Sequence, residues 1–293
     1  MHIGLSACLT ADDPNVTSFP SIFSYLAPMN RIFATLFAFF LLPMPLIAQE
    51  VENVVTVDLV PGWRTAEGTH LAGLRISLAP HWKTYWRAPG PAGLPPAFDW
   101  SGSQNITDAV LHWPTPELLD VNGMESFGYN GSVLIPIELS LEDSEQTAHA
   151  KGQVEIGVCN SVCIPFTAQF DIALPVAAQR SPPIIAALLD QPLDGLQAGF
   201  APVSCRFRPN GKGIRIEAHL PEAAKIAATA GVIEFASKDI WIAETMHEMQ
   251  GDTMVFTADA IALGTAPMAI DRHSLRLTVL TTNNAYEFIG CQG

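Results

Sequence analysis

The sequence is short of positive charge: 15 Lys and Arg stand against 29 Asp and Glu. A surface of that sign repels phosphate, so nucleic acid and anionic lipid are poor partners and none is expected. Cysteine is scarce too, with 5 in 293 residues, and only Cys159 and Cys163 lie close together. A zinc site takes about four ligands, usually from two such pairs. The chain has no second pair, and His149 is the only histidine near this one in sequence. No metal site and no cofactor are therefore expected. No serine sits in a nucleophile-elbow motif, which argues against a hydrolase. The two halves share no repeat, and neither contains a convincing helix. Beyond residue 48 no apolar run is long enough to cross a membrane.

The one long apolar run is at the front. Met29-Asn30-Arg31 supplies a positive start, Ile32 to Leu42 an apolar middle, and Ala48 a small residue before Gln49-Glu50. That order describes a secretory signal over residues 29–48, cleaved after Ala48. An uncleaved membrane anchor is the alternative, weakened by Pro43 and Pro45. Residues 1–28, with Asp12, Asp13 and Pro14, do not suit the front of a signal. They are read as an extension preceding the true start at Met29, which would put Cys8 outside the protein. An exported chain reaches an oxidising compartment where disulfides persist. Its remaining four cysteines allow three connectivities. Spacing favours Cys159 with Cys163 and leaves Cys205 with Cys291.

Beyond the leader the chain reads as strands. Val51 to Leu59, Leu71 to Ala79, Ser132 to Leu141, Lys151 to Val158 and Thr167 to Leu174 alternate apolar and polar residues, as half-buried strands do. Phe98 to Trp100 and Val110 to Trp113 are shorter candidates. Pro80 to Pro96 carries so much proline and glycine that a helix or a central strand is not expected there. Pro114 to Gly131 reads as a long loop, and loops of that length inside a domain are more often functional than idle. Ser181-Pro182-Pro183 changes the composition, and Ile184 to Leu189 is a short helix candidate. A second set of strands comes next: Val203 to Phe207, Ile214 to Leu220, Val232 to Phe235, Thr253 to Ala258, Leu275 to Leu280 and Ala285 to Cys291. Pro221 to Ala230 is a further brief helix candidate. The expected fold is all-β, two sandwiches in tandem: residues 49–178, a linker at 179–200, and residues 201–293.

The Cys159–Cys163 spacing admits a redox dithiol, half a metal site or a small structural loop. Closing so short a loop removes little unfolded-state entropy, which tilts the pair toward chemistry. Thiols that initiate exchange usually lie beside a cation or a helix start. The local residues are Val158, Asn160, Ser161, Val162, Ile164, Pro165 and Phe166, with no cation nearer in sequence than Lys151. An oxidised pair here is a disulfide for others to attack, and its reduced thiols react slowly unless a partner activates them. Trp82, Tyr85, Trp86, Trp100 and Trp113 could form a sugar platform, but alternating positions make Trp100 and Trp113 core residues. Met246-His247-Glu248-Met249 holds soft ligands suited to copper. On a strand, however, Met246 and His247 point to opposite faces.

Several stretches together resemble one family: Trp82-Lys-Thr-Tyr-Trp-Arg-Ala-Pro-Gly90, Pro95-Pro96-Ala-Phe-Asp-Trp100-Ser-Gly-Ser-Gln-Asn105, Gly128-Tyr129, Ile135-Pro136 and Cys159-Asn-Ser-Val-Cys163-Ile-Pro165. They resemble the periplasmic amino-terminal domain of DsbD-type thiol:disulfide interchange proteins, especially the ScsB-like branch, over roughly residues 50–178. The resemblance implies an immunoglobulin-like domain acting as a protein-disulfide reductase component. It would take electrons from a membrane-embedded thiol transporter through a thioredoxin-like module and pass them to oxidised periplasmic proteins. Cytochrome-maturation proteins, disulfide isomerases and copper-stress (copper-tolerance) proteins are the open substrate classes. Cys159 and Cys163 match the redox cysteines, with Cys163 the sulfur that is attacked. The cysteines stand closer together than in the best-studied members. Where the family's cap loop has an adjacent aromatic pair, this chain offers Met124, Phe127 and Tyr129. A non-catalytic adaptor with structural disulfides, or a copper-binding periplasmic protein, is the alternative.

Overall fold

A computed structural model describes residues 54–293, apart from residues 122, 212, 224–225, 238 and 265–269. The extension 1–28, the signal 29–48 with its cleavage point, and the first residues of the expected strand at Val51 lie outside the described residues. Residues 50–293 form one compact unit, and within it the strands sort into two sandwiches.

The first sandwich has ten strands: β1 (Val55–Arg64), β2 (His70–Leu78), β3 (Lys83–Tyr85), β4 (Ala97–Asp99), β5 (Asp108–Leu111), β6 (Glu117–Val121), β7 (Met124–Asn130), β8 (Ser132–Ser140), β9 (Ala148–Cys159) and β10 (Cys163–Leu174). One sheet runs β1-β2-β8-β5, the other β10-β9-β3-β7-β6 with β4 also paired to β9. Alternation decides which side chains meet between the sheets. Val154, Ile156 and Val158 of β9 face Ile135, Ile137 and Leu139 of β8 across a core that also takes in Trp86 and Trp113. The alternate residues of β9, Glu155, Gly157 and Cys159, therefore point out of the sandwich.

The second sandwich comprises β11 (Leu193–Asp194), β12 (Ser204–Asn210), β13 (Gly213–Leu220), β14 (Ala228–Phe235), β15 (Ile240–Ile242), β16 (Met246–Gln250), β17 (Thr253–Ala262), β18 (Leu275–Thr281) and β19 (Ala285–Ile289). Its sheets run β11-β19-β18-β14 and β12-β13-β17-β15, with β16 also on β17. Phe256, Leu277, Val279 and Phe288 fill its centre. Ala230, Val232, Leu280 and Ala285 instead join the core of the first sandwich, so an apolar seam holds the two together. The expected linker is occupied. Its helix α1 (Pro182–Leu189) opens with proline in the first turn, where no N–H is needed, and buries Ile184 against Gly73 of β2. β11 then adds to the second sandwich, parallel to β19.

Three expectations fail here for physical reasons. A central strand exists inside the proline-rich stretch, because Lys83–Tyr85 lies in the gap between Pro80 and Pro89 and pairs with both β7 and β9. The long loop at 114–131 is a hairpin of β6 and β7 closed around Gly123, whose φ of +82° suits glycine. The end of the helix candidate at Pro221 to Ala230 belongs to β14, because tertiary pairing with β18 outweighs the helix preference of its alanines. The sugar platform also dissolves: Tyr85, Trp86 and Trp113 are buried.

Cys205 of β12 is bonded to Cys291, just beyond β19, across 86 residues of sequence. In the chain-entropy model a closure of that length contributes about 4 kcal/mol. Replacing both by serine should lower the midpoint of chemical denaturation by a matching amount, read by tryptophan fluorescence. An unchanged midpoint would show that the bond does not constrain the unfolded chain.

Candidate functional site

Strand β9 explains the geometry of the cysteine pair. One of its edges is shared by two short strands: β3 pairs at Val158 and Cys159, and β4 at Gln153, Val154 and Glu155. Between them the chain leaves the sheet after Tyr85 and returns at Ala97. Pro89, Pro91, Pro95 and Pro96 cannot donate to a ladder, so this excursion arches over the outer face of the sheet. On its other edge β9 turns into β10 through Asn160, Ser161 and Val162, and Cys159 and Cys163 stand directly opposite each other. They are bonded, with Cα atoms 4.1 Å apart.

The excursion caps the disulfide through Tyr85. Its ring lies over Gly157, where a Cβ would come within 2.9 Å of it, and under Gly93, where a Cβ would come equally close. Gly157 leaves the ring its space, and Gly93 leaves space for both the ring and Pro89, whose Cβ would lie 2.3 Å from an added Cβ. The tyrosine is consequently 1% exposed although it projects from the outer face. Its hydroxyl is 3.1 Å from Cys159 Sγ and 3.2 Å from Cys163 Sγ. Neither sulfur of a disulfide carries hydrogen, so the phenol is the donor. Its remaining neighbour is the Ala92 carbonyl at 3.4 Å. Burial raises the Tyr85 pKa, which keeps the hydroxyl protonated and able to donate at neutral pH.

The two sulfurs differ in access. Cys159 is fully buried beneath Tyr85, whereas Cys163 is exposed beside Val162, itself 65% exposed at the hairpin tip. Lys83 stands across from Cys159 on the adjacent strand, its ammonium donating to the Asp120 carbonyl at 2.5 Å.

The residues expected to form the cap lie elsewhere. Met124 is exposed at the β6–β7 turn, and Phe127 is packed in the core. Tyr129 is buried with its hydroxyl donating to the Pro114 carbonyl at 2.8 Å, and burial raises its pKa well above the usual value. They sit on β7, separated from β9 by β3. Phe127 supports the cap only from behind: its N–H donates to the Pro89 carbonyl at 3.1 Å and its carbonyl accepts from Trp86 at 2.9 Å. Sequence reading places Tyr85 among sugar-stacking rings and does not connect it with the cysteines. The available signal is a tyrosine ending a strand immediately before a proline-rich arch. In the second sandwich, Met246 and His247 occupy the exposed strand β16 at successive positions, facing opposite ways.

Comparison with known proteins fits this arrangement. Residues 53–175 match the family model of the thiol:disulfide interchange protein DsbD, N-terminal. A solved structure, the N-terminal periplasmic domain of ScsB from Proteus mirabilis, superposes with a TM-score of 0.60 at 24% identity, covering 86% of this chain and 97% of that one. That likeness extends the shared fold across both sandwiches. No curated protein matches the chain. Among the described residues no helix is long and apolar enough to cross a membrane. The first sandwich, with its cysteines at a capped hairpin tip, is a DsbD-type amino-terminal domain, and so a thiol:disulfide interchange domain.

Proposed function

We propose that the chain is a periplasmic electron carrier whose Cys159–Cys163 pair is reduced by a thioredoxin-like module of a membrane thiol transporter and reoxidised by exported proteins. In this reading residues 49–178 are the redox domain, residues 201–293 a second domain, and the leader at 29–48 directs export. The observation that carries the proposal is the inequality of the two sulfurs: one exposed, the other buried under a hydroxyl donor.

Exchange requires a thiolate to approach along the disulfide axis. Cys163 Sγ is the sulfur a partner can reach. Attack there forms a partner–Cys163 bond and breaks the Cys159–Cys163 bond, with the electron pair leaving on Cys159 Sγ. Tyr85 donates to that sulfur, so the developing charge meets a hydrogen-bond donor as it forms. The partner's second thiolate then attacks its own sulfur in the mixed disulfide and releases Cys163. Two electrons have moved, and the two cysteines take up protons from water. Delivery reverses the sequence: the Cys163 thiolate attacks a substrate disulfide, and Cys159 resolves the mixed disulfide. Val162, Pro165 and the uncharged hairpin tip give a docking surface that suits many oxidised substrates.

A Cys159→Ser variant should accumulate a mixed disulfide between Cys163 and a thioredoxin-like dithiol protein, visible on a non-reducing gel. Cys163→Ser should not, because Cys159 is buried. Trapping by Cys163→Ser alone would reverse the assignment, and trapping by neither would remove the interchange reading.

Tyr85→Phe keeps the ring over Gly157 and removes only the donor. Attack on the oxidised pair by dithiothreitol should slow about 2- to 10-fold, the net worth of one ordinary hydrogen bond. An unchanged rate would show that the hydroxyl does not assist departure of Cys159.

In a dithiothreitol titration read by mass after alkylation, Cys159 and Cys163 should label first with the fold intact. Cys205 and Cys291 should require stronger reductant. Labelling in the opposite order would exchange the functional and structural pairs.

A further inference from the structure

We infer that the second sandwich positions the cap of the redox site, and that Arg87 is the residue through which it does so. The inference rests on the interchange reading above and gives the second sandwich a role in it.

Arg87 lies two residues beyond Tyr85, where the chain has just left the sheet. Its Nε donates to both carboxylate oxygens of Glu234, at 2.9 and 3.2 Å, and its Nη2 to Glu287 at 2.5 Å. Glu234 is on β14 and Glu287 on β19, so both acceptors belong to the second sandwich. The three side chains are only 15–20% exposed. Charge-assisted hydrogen bonds shielded in this way are stronger and more directional than exposed ion pairs. The guanidinium also lies 4.0 Å from the centroid of Trp86, a ring wholly buried in the first core. Arg87 is thus held between the first sandwich and two strands of the second.

The rest of the arch has little to rest on from that side. A cleft of about 580 Å³ separates its prolines from Val232, Phe235 and Trp241 of the second sandwich, with Arg87 and Glu234 in its wall. Across this space the arch is tied rather than packed. Near the disulfide its ties are the Trp86 and Pro89 backbone bonds to Phe127 and the Tyr85–Ala92 contact. Tyr85 keeps its own place at the end of β3, paired with Gly128, but releasing Arg87 leaves the arch that covers its ring without its anchor to the second sandwich. It also leaves Glu234 and Glu287 with only Arg276, which is farther away, at 3.9 and 3.6 Å. The hydroxyl aimed at both sulfurs needs placement to a few tenths of an ångström to remain a good donor. Arg87 is accordingly a positioning residue. It acts on the reaction only through Tyr85.

The test is a double-mutant cycle on the full chain. Arg87→Met keeps an apolar stem over Trp86 and removes the charge. Glu234→Gln with Glu287→Gln removes the acceptors' charge from the far side. Each should slow dithiothreitol attack on the Cys159–Cys163 bond by about 2- to 10-fold, and by no more than Tyr85→Phe does, since the clamp acts only through that hydroxyl. Combining the two sets should slow it little further, and Arg87→Lys should recover part of the rate. In a Tyr85→Phe background Arg87→Met should have no added effect, a result that a purely structural role would not produce. If the clamp variants lower the melting temperature yet exchange at the wild-type rate, or if the Arg87→Met effect persists without the Tyr85 hydroxyl, the positioning role is refuted. Should Arg87→Met fail to fold, Glu287→Gln and Arg87→Lys carry the same comparison. A wild-type pair that dithiothreitol cannot reduce in the folded protein would defeat the interchange reading itself. Normal wild-type exchange with unaffected clamp variants would defeat the clamp alone.

Discussion

The surroundings of the Cys159–Cys163 pair depend on one shared edge. β9 is paired along that edge at both ends of its outer half, by Lys83–Tyr85 and by Ala97–Asp99, but not between. Eleven residues join the two short strands, and their prolines keep them out of the ladder. The chain therefore has to pass over the sheet at the level of Gly157. A glycine on β9 and another in the arch leave a slot, and Tyr85 fills it. The buried hydroxyl beside the sulfurs is a consequence of strand pairing, proline chemistry and two missing Cβ atoms acting together.

That origin explains how much of the site is legible in the sequence. Strands with their own alternation, such as Lys151 to Val158 or Ile214 to Leu220, are readable because burial on one face is written into every second residue. The resemblance to DsbD-type domains is readable too, since it rests on contiguous motifs around Tyr85 and Cys163. The three-residue strand β3 is not. It is too short to show a period, and it lies between Pro80 and the prolines that resume at Pro89. β6 and β7 are hidden for a different reason. Ser126 and Gly128 sit at buried positions of β7, so its apolar pattern is broken. A hairpin without a visible period resembles a loop, and a loop invites the role of a cap. The clamp at Arg87 is not accessible to local reading, because Arg87 and Glu287 are separated by 200 positions.

Charge is used sparingly around the cysteines and concentrated where the sandwiches meet. At the hairpin tip Asn160, Ser161, Val162, Ile164 and Pro165 carry none, so encounter with a partner there relies on shape and apolar contact rather than long-range attraction. At the seam, two arginines and two glutamates form a compensated group beside the apolar contacts of Val232 and Leu280. Such a pairing stabilises only modestly in total, since desolvation opposes it. Its value lies in direction: a fork fixed to two carboxylates holds one backbone point in one place.

The two disulfides show why the same bond can serve opposite ends in one chain. Cys205 and Cys291 close a loop of 86 residues, and the chain ends they join are also held by Cys205 N–H to Gln292 and Gln292 N–H to Val203, at 2.7 and 2.9 Å. Arg272 adds a bond to the Cys205 carbonyl at 2.9 Å. Breaking that bridge enlarges the unfolded ensemble greatly, and the buried Cys205 sulfur resists approach. Cys159 and Cys163 instead close a turn whose partners are already fixed by the twelve-pair ladder of β9 and β10. Reduction there removes almost no conformational constraint. The free energy of the exchange is then set by the environment of the sulfurs, the Tyr85 hydroxyl above all, and not by the folding of the domain. A carrier that is to be reduced and reoxidised repeatedly without unfolding needs that separation, and a cross-strand pair at the end of a long hairpin provides it.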